Sequence, residues 1–124
     1  MKENPKTRRA ERQSVPRPGQ PVRGSSTGRP LTAALDLLGR RWSLRVLWEL
    51  TDGPLGARAL RDNCDRMSPD VLYTRLKELT EAGLIDKAGD QRYQLTSIGA
   101  DLRSALDPLD QWARRWAERP TSTR

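Results

Sequence analysis

Ser68-Pro69-Asp70-Val71-Leu72-Tyr73-Thr74-Arg75-Leu76-Lys77-Glu78-Leu79, running on through Thr80-Glu81-Ala82 to Gly83, is the stretch whose reading decides the fold. Ser68 can cap the free N–H groups of a helix start, and Pro69 suits the first helical position because no hydrogen bond is lost there. Val71, Leu72, Leu76 and Leu79 recur at helical spacing and predict one buried stripe. Gly83 fits the position after the last turn, where a left-handed backbone closes a helix. The spacing predicts one helix of about four turns over 68–83. Its opposite face carries Asp70, Tyr73, Thr74, Lys77 and Glu81.

Upstream, Leu31, Ala34, Leu35 and Leu38 fall at i, i+3, i+4 and i+7 and predict a helix that Gly39 ends. Ser43 to Thr51 is a second helix, stopped by Asp52-Gly53-Pro54. A third, short helix covers about Ala57 to Asn63. Downstream, Leu84–Lys87 and Arg92–Leu95 flank Ala88-Gly89-Asp90-Gln91 and predict a β-hairpin. A last helix is expected from Thr96–Ser97 to about Glu118, with a kink at Pro108. Its apolar positions Ile98, Leu102, Ala105, Leu109, Trp112 and Trp116 alternate steps of four and three, the spacing of a heptad seam.

This order predicts a mainly α fold with a small β-hairpin wing: a winged helix-turn-helix. Residues 57–63 support, and 68–83 is the helix that enters a major groove. The candidate DNA contacts are Tyr73, Thr74 and Lys77 for base or near-base positions. Ser68 and the helix start suit a phosphate. Arg58 and Arg61, spaced i, i+3, share a face of the supporting helix. Lys87 and Arg92 flank the wing turn. For Arg75 two readings stand open: a phosphate contact, or an intramolecular pair with Glu78 or Glu49. A winged helix used only for protein contacts is the alternative function.

Charge and composition narrow the class. The chain has 124 residues, Lys+Arg 23 against Asp+Glu 16, and a net charge of +7. Residues 1–29 hold eight basic groups and two acidic ones, four prolines and four apolar side chains, a composition that predicts a disordered basic arm. Residues 30–118 are the expected folded domain and 119–124 a tail. Histidine is absent and Cys64 is the single cysteine, which argues against the commonest general base, a CxxC site and a disulfide framework. Together with the lack of paired carboxylates in a plausible cleft and of a phosphate loop, this predicts no enzyme, no metal and no cofactor. No apolar run is long enough to span a bilayer, so a cytoplasmic, nucleoid-associated protein is expected.

With these residues placed, about residues 29–118 resemble the HxlR-type, MarR-like family of bacterial winged-helix transcriptional regulators. Arg29-Pro30-Leu31 and Leu35-Asp36-Leu37-Leu38-Gly39-Arg40-Arg41-Trp42 are similar to its opening. Leu47-Trp48-Glu49-Leu50, Gly53-Pro54, the 68–79 stretch, Gly83-Leu84-Ile85, Tyr93-Gln94-Leu95-Thr96, Gly99 and Trp112 follow in the family's order. The resemblance implies a homodimer joined by its terminal helices, through Leu31, Leu35, Ile98, Leu102, Leu109, Trp112 and Trp116. Its partners would be double-stranded DNA with a two-fold-symmetric operator and a small apolar effector, to which no residue is assigned. A repressor is expected, since a dimer over a promoter blocks polymerase without further machinery. Three departures stand out. Arg29 occupies the place where many relatives carry a sensing cysteine, Gly56-Ala57 replaces a frequent Arg-Phe, and the wing is short. Cys64 lies near Asp62 and Asp65, and acidic neighbours raise a thiol's pKa.

Overall fold

The structure is a computed structural model that describes residues 15–19 and 29–120. Its elements run α1 (Pro30–Leu38), α2 (Ser43–Glu49) with a 3₁₀ turn (Leu50–Asp52), α3 (Ala57–Asn63), α4 (Pro69–Glu81), β1 (Ile85–Lys87), β2 (Tyr93–Leu95) and α5 (Ser97–Glu118). The second helix is therefore shorter than its sequence predicts, because its last turn tightens before Gly53-Pro54.

The ends of α4 follow from its sequence. Ser68 is the N-cap, its Oγ accepting from Val71 N at a long 3.5 Å, and Pro69 opens the helix. At the other end Gly83 has φ +82, Gly83 N donates to Thr80 O and Leu84 N donates to Leu79 O, both at 3.0 Å. That paired pattern closes a helix on a left-handed residue, which glycine adopts without a side-chain clash. The reversal from α3 into α4 uses two left-handed residues, Asp65 and Arg66, both at φ +56, held by Arg66 N donating to Arg61 O at 2.8 Å.

Leu72, Leu76 and Leu79 of α4 pack with Val46, Leu47 and Leu50 from α2 and the 3₁₀ turn, Leu60 of α3, Cys64, Met67 and Ile85 into one core. Burying such side chains is worth about 1.5–3 kcal/mol each, which fixes the azimuth of α4 and leaves its other face to solvent.

The wing is antiparallel, with Ile85 opposite Leu95 and Lys87 opposite Tyr93. Leu84 and Arg92, expected in strands, lie outside them. Leu55 adds a partner that the sequence reading missed: Leu55 N donates to Tyr93 O at 3.0 Å and Tyr93 N to Leu55 O at 2.8 Å. A single bridging residue has no alternation to reveal it.

α5 starts on Thr96, whose Oγ accepts from Gly99 N at 3.2 Å and donates to Gly83 O at 2.6 Å. A Cβ on Gly99 would lie 2.0 Å from Leu84 O, so only glycine lets α5 approach the α4–β1 corner this closely. The helix continues unbroken through Pro108. Its inward face is Gly99, Leu102 and Leu106. Leu106 is buried although it falls outside the heptad reading, and Ala105, inside that reading, is exposed.

Among the described residues no helix is long and apolar enough to cross a membrane, and no group of three or more His, Cys, Asp or Glu could hold a metal.

Candidate nucleic-acid interface

The face that α4 turns to solvent carries Asp70, Tyr73, Thr74, Lys77, Thr80 and Glu81. Tyr73 is 54 % exposed, unusual for so large a ring on a helix whose leucines are all buried. Thr74 is exposed, and its Oγ1 donates to Asp70 O at 2.8 Å, which holds the side chain along the helix. Lys77 is exposed and forms no ion pair with any described residue. A groove of about 330 Å³ between α4 and the wing gathers Tyr73, Leu76, Lys77 and Thr80 from the helix with Lys87 and Tyr93 from the strands. Lys87 Nζ sits 5.4 Å from the Tyr93 ring centroid, a contact that holds an ammonium in place without removing its charge. Two lysines and two phenols thus line one concave strip. Thr80, seven residues after Tyr73 and so on the same face, is the member that sequence reasoning missed.

Other candidate residues are used differently. Arg75 turns away from this face: its Nε donates to Arg41 O at 2.6 Å and its Nη1 to Glu78 Oε1 at 2.8 Å. Of its two readings, the structure places Arg75 in the intramolecular pair, and with Glu78 rather than Glu49, which takes Arg45 at 2.9 Å. Glu78 Oε2 also accepts from Arg40 at 2.6 Å, and Arg40 lies 4.0 Å from Asp36, so a charged chain ties α1 and the turn after it to α4. Arg61 is half-buried, its Nε donating to Met67 O at 3.1 Å across the α3–α4 turn. Arg58 is exposed on α3. At the wing tip Arg92 Nε donates to Asp90 at 2.6 Å. The Arg92 backbone N–H, then its guanidinium, hold the Asp90 carboxyl below the usual carboxylate range.

Cys64 lies inside the core with no exposed surface. Burial, chiefly, pushes its thiol up; Arg45 opposes this and Glu49 and Asp65 add to it. Asp62, expected to contribute, is not among the causes.

A second exposed surface differs in chemistry. Leu31, Leu35, Ile98, Leu109, Trp112 and Trp116 are each 47–68 % exposed. Trp112 and Trp116 stack with ring centroids 5.7 Å apart and planes 11° from parallel. Leu102, placed in the same seam by its spacing, faces the molecule's own core instead, because α5 must bury one stripe locally.

Residues 37–121 match the HxlR-like helix-turn-helix family. A curated HTH-type transcriptional regulator of Mycobacterium tuberculosis is 37 % identical over 103 residues, 78 % of this chain and 62 % of that protein. This chain thus spans less than two thirds of that relative's length. YodB of Bacillus subtilis, also an HTH-type transcriptional regulator, is 27 % identical over 71 % of this chain and 84 % of its own. The solved structure of quinone-bound YodB superposes with a TM-score of 0.64 at 28 % identity, covering 68 % of this chain and 94 % of that one.

Proposed function

Because this chain belongs to the HxlR-like helix-turn-helix family, we propose that it is a DNA-binding transcriptional repressor acting as a homodimer on a two-fold-symmetric operator. The observation that carries the reading is the strip between α4 and the wing, where Tyr73, Lys77 and Lys87 meet beside the exposed Thr74. An α-helix fits the major groove of B-form DNA, and side chains from its outer face reach base edges. Tyr73 offers a ring to a thymine methyl and a hydroxyl to a phosphate. Lys77 and Lys87 stand on opposite walls of the groove and suit the phosphates flanking it. Ser68 and the first N–H groups of α4 offer a further phosphate site. Arg58 adds charge from α3, and Arg61, Arg75 and Arg92 act through the positions of the α3–α4 turn, of α4 and of the wing.

The exposed apolar seam supports the dimer. Large aromatics concentrate at buried interface centres, and six exposed apolar side chains on two helices form the kind of surface that a second copy covers. Two copies present α4 twice, to successive major grooves about one helical turn apart. The solved YodB holds a quinone. A small apolar effector is part of the proposal for this chain too, but without Cys64 as its attachment point, since a buried thiol with a raised pKa supplies little thiolate.

Footprinting on the DNA beside the protein's own gene tests the proposal. The expected result is a protected inverted repeat, with half-sites about 10 base pairs apart, and transcription from that promoter that falls as protein is added. Absence of any protected segment at low salt overturns it, and a protein that binds a partner chain but no duplex establishes the protein-contact alternative.

A further inference from the structure

Asp70, Thr74, Lys77 and Glu81 of α4 recur at steps of four, three and four, and all are exposed. That spacing sets them in one line along the helix. Leu72, Leu76 and Leu79 fix the buried side, and the line runs opposite them. Tyr73 and Thr80 lie on its flank, toward the wing. The part of α4 farthest from the core therefore carries two carboxylates and one ammonium. On a face that meets a polyanion this balance is unexpected, because phosphates repel each carboxylate.

The two carboxylates are placed differently. Glu81 is the last residue of α4, about 16 Å along the axis from Asp70. Asp70 is the second residue of α4, and the N-terminal residues of a groove helix are those that contact base edges. Its carboxylate forms no ion pair or hydrogen bond with any described residue. The helix is capped by Ser68, and the Thr74 hydroxyl goes to the backbone O of Asp70 rather than to its side chain. An ionised carboxylate only accepts. In the major groove guanine presents two acceptors, thymine an acceptor and a methyl, and adenine a donor beside an acceptor. Cytosine presents its N4 amino group, the donor that a carboxylate meets without facing an acceptor of the same base.

We propose that Asp70 is a specificity-determining residue, its carboxylate accepting from the N4 amino group of one cytosine in each half-site. The proposal rests on the reading of α4 as the major-groove helix. Asp70 costs affinity on every duplex and recovers it only where that cytosine stands, so it selects by rejection as well as attraction. An acid in the first turn also steadies a helix through the partial charge at its start, but that role involves no base.

Binding by the full chain tests the proposal. A randomised duplex pool first yields the preferred operator, and fluorescence anisotropy then compares it with each of its single base-pair variants. The wild type is expected to lose about tenfold in affinity when one C·G pair of a half-site is replaced. Asp70→Ala is expected to bind that variant and the operator within about twofold of each other, to keep its discrimination elsewhere, and to hold random-sequence duplex about two- to threefold more tightly at low salt. Asp70→Asn is expected to move the preference at the same position from cytosine to adenine, whose N6 and N7 suit an amide. Loss of a helix-start charge alone produces no such shift. Unchanged base preference in both variants overturns the proposal and leaves the reading of α4 standing. Discrimination lost evenly at all positions makes Asp70 a residue that holds α4 in place and also overturns it. A wild-type protein that enriches no sequence overturns both the proposal and that reading.

Discussion

Helices α4 and α5 each bury one stripe and leave the other in solvent, and the two free faces are opposites. On α4 the outward residues are Asp70, Tyr73, Thr74, Lys77, Thr80 and Glu81; on α5 they include Ile98, Leu109, Trp112 and Trp116. A polar face with one exposed ring is stable in water and gains specificity from hydrogen-bonding partners. An apolar face on a helix that already has a core contact is costly in water and asks for a dry partner. The same local rule, helical periodicity, produces both, so the division of labour lies in which residue types occupy the second face. α4 is read as meeting a duplex and α5 as meeting another copy of the chain.

The comparison breaks most sharply if the α5 face is made polar. Trp112→Asp is expected to cost about 2–4 kcal/mol of association, the range of an interface anchor. Sedimentation equilibrium should then show single subunits at concentrations where the wild type pairs, and operator affinity should fall with it. A monomeric wild-type protein removes the α5 half of the comparison. On α4, Lys77→Ala should weaken all duplexes and reduce the salt slope of binding by about one, whereas Tyr73→Ala should cost about 1–3 kcal/mol on the operator alone. Gel shifts over a salt series separate the two, and the reverse pattern would mean that Tyr73 reads phosphate and Lys77 reads base.

How much of this was legible in the sequence depends on the range of the interaction. The caps of α4, its three buried leucines, the hairpin pairing and the exposed positions Ile98, Leu109, Trp112 and Trp116 follow from local spacing, whereas Leu84 and Arg92 fall outside the strands and Leu102 outside the exposed seam. The misses are contacts with long sequence separation. Leu55 joins Tyr93 across 38 positions with no pattern of its own. Leu106 hides one residue from Ala105, and only the packing of α5 decides which of the two goes inward. Arg75, on the flank of α4, is drawn inward by Arg41 O and Glu78, one of two readings that sequence left equal. That network offers the next test. Glu78→Gln leaves Arg40 and Arg75 facing each other with their shared carboxylate gone, at sites 19–21 % exposed. It should lower stability by about 1–2 kcal/mol in urea unfolding, less than a fully buried pair loses. Operator affinity should fall more than non-specific affinity if α4 needs this tie to hold its azimuth. An unchanged ratio would leave Glu78 with a role in stability alone.

The smallest effect belongs to the wing tip. Asp90 accepts from both the backbone N–H and the guanidinium of Arg92, and its carboxyl pKa is lowered accordingly. A carboxylate with a depressed folded pKa contributes stability that is present above its unfolded pKa and lost as pH falls through the folded value. The wing should therefore tighten on the neutral side and loosen only in acid. For DNA the pair works the other way, since Asp90 offsets the cation nearest the tip. Asp90→Ala should free Arg92 and strengthen non-specific binding about two- to threefold at low salt, an effect that disappears as salt screens it. Arg92→Ala in the wild type should change little, because that guanidinium is already paired, but in an Asp90→Ala background it should erase the gain. A large loss from Arg92→Ala alone would show that Arg92 leaves Asp90 for a phosphate in the complex, and the wing would then share with α4 the polar role that separates both from the apolar face of α5.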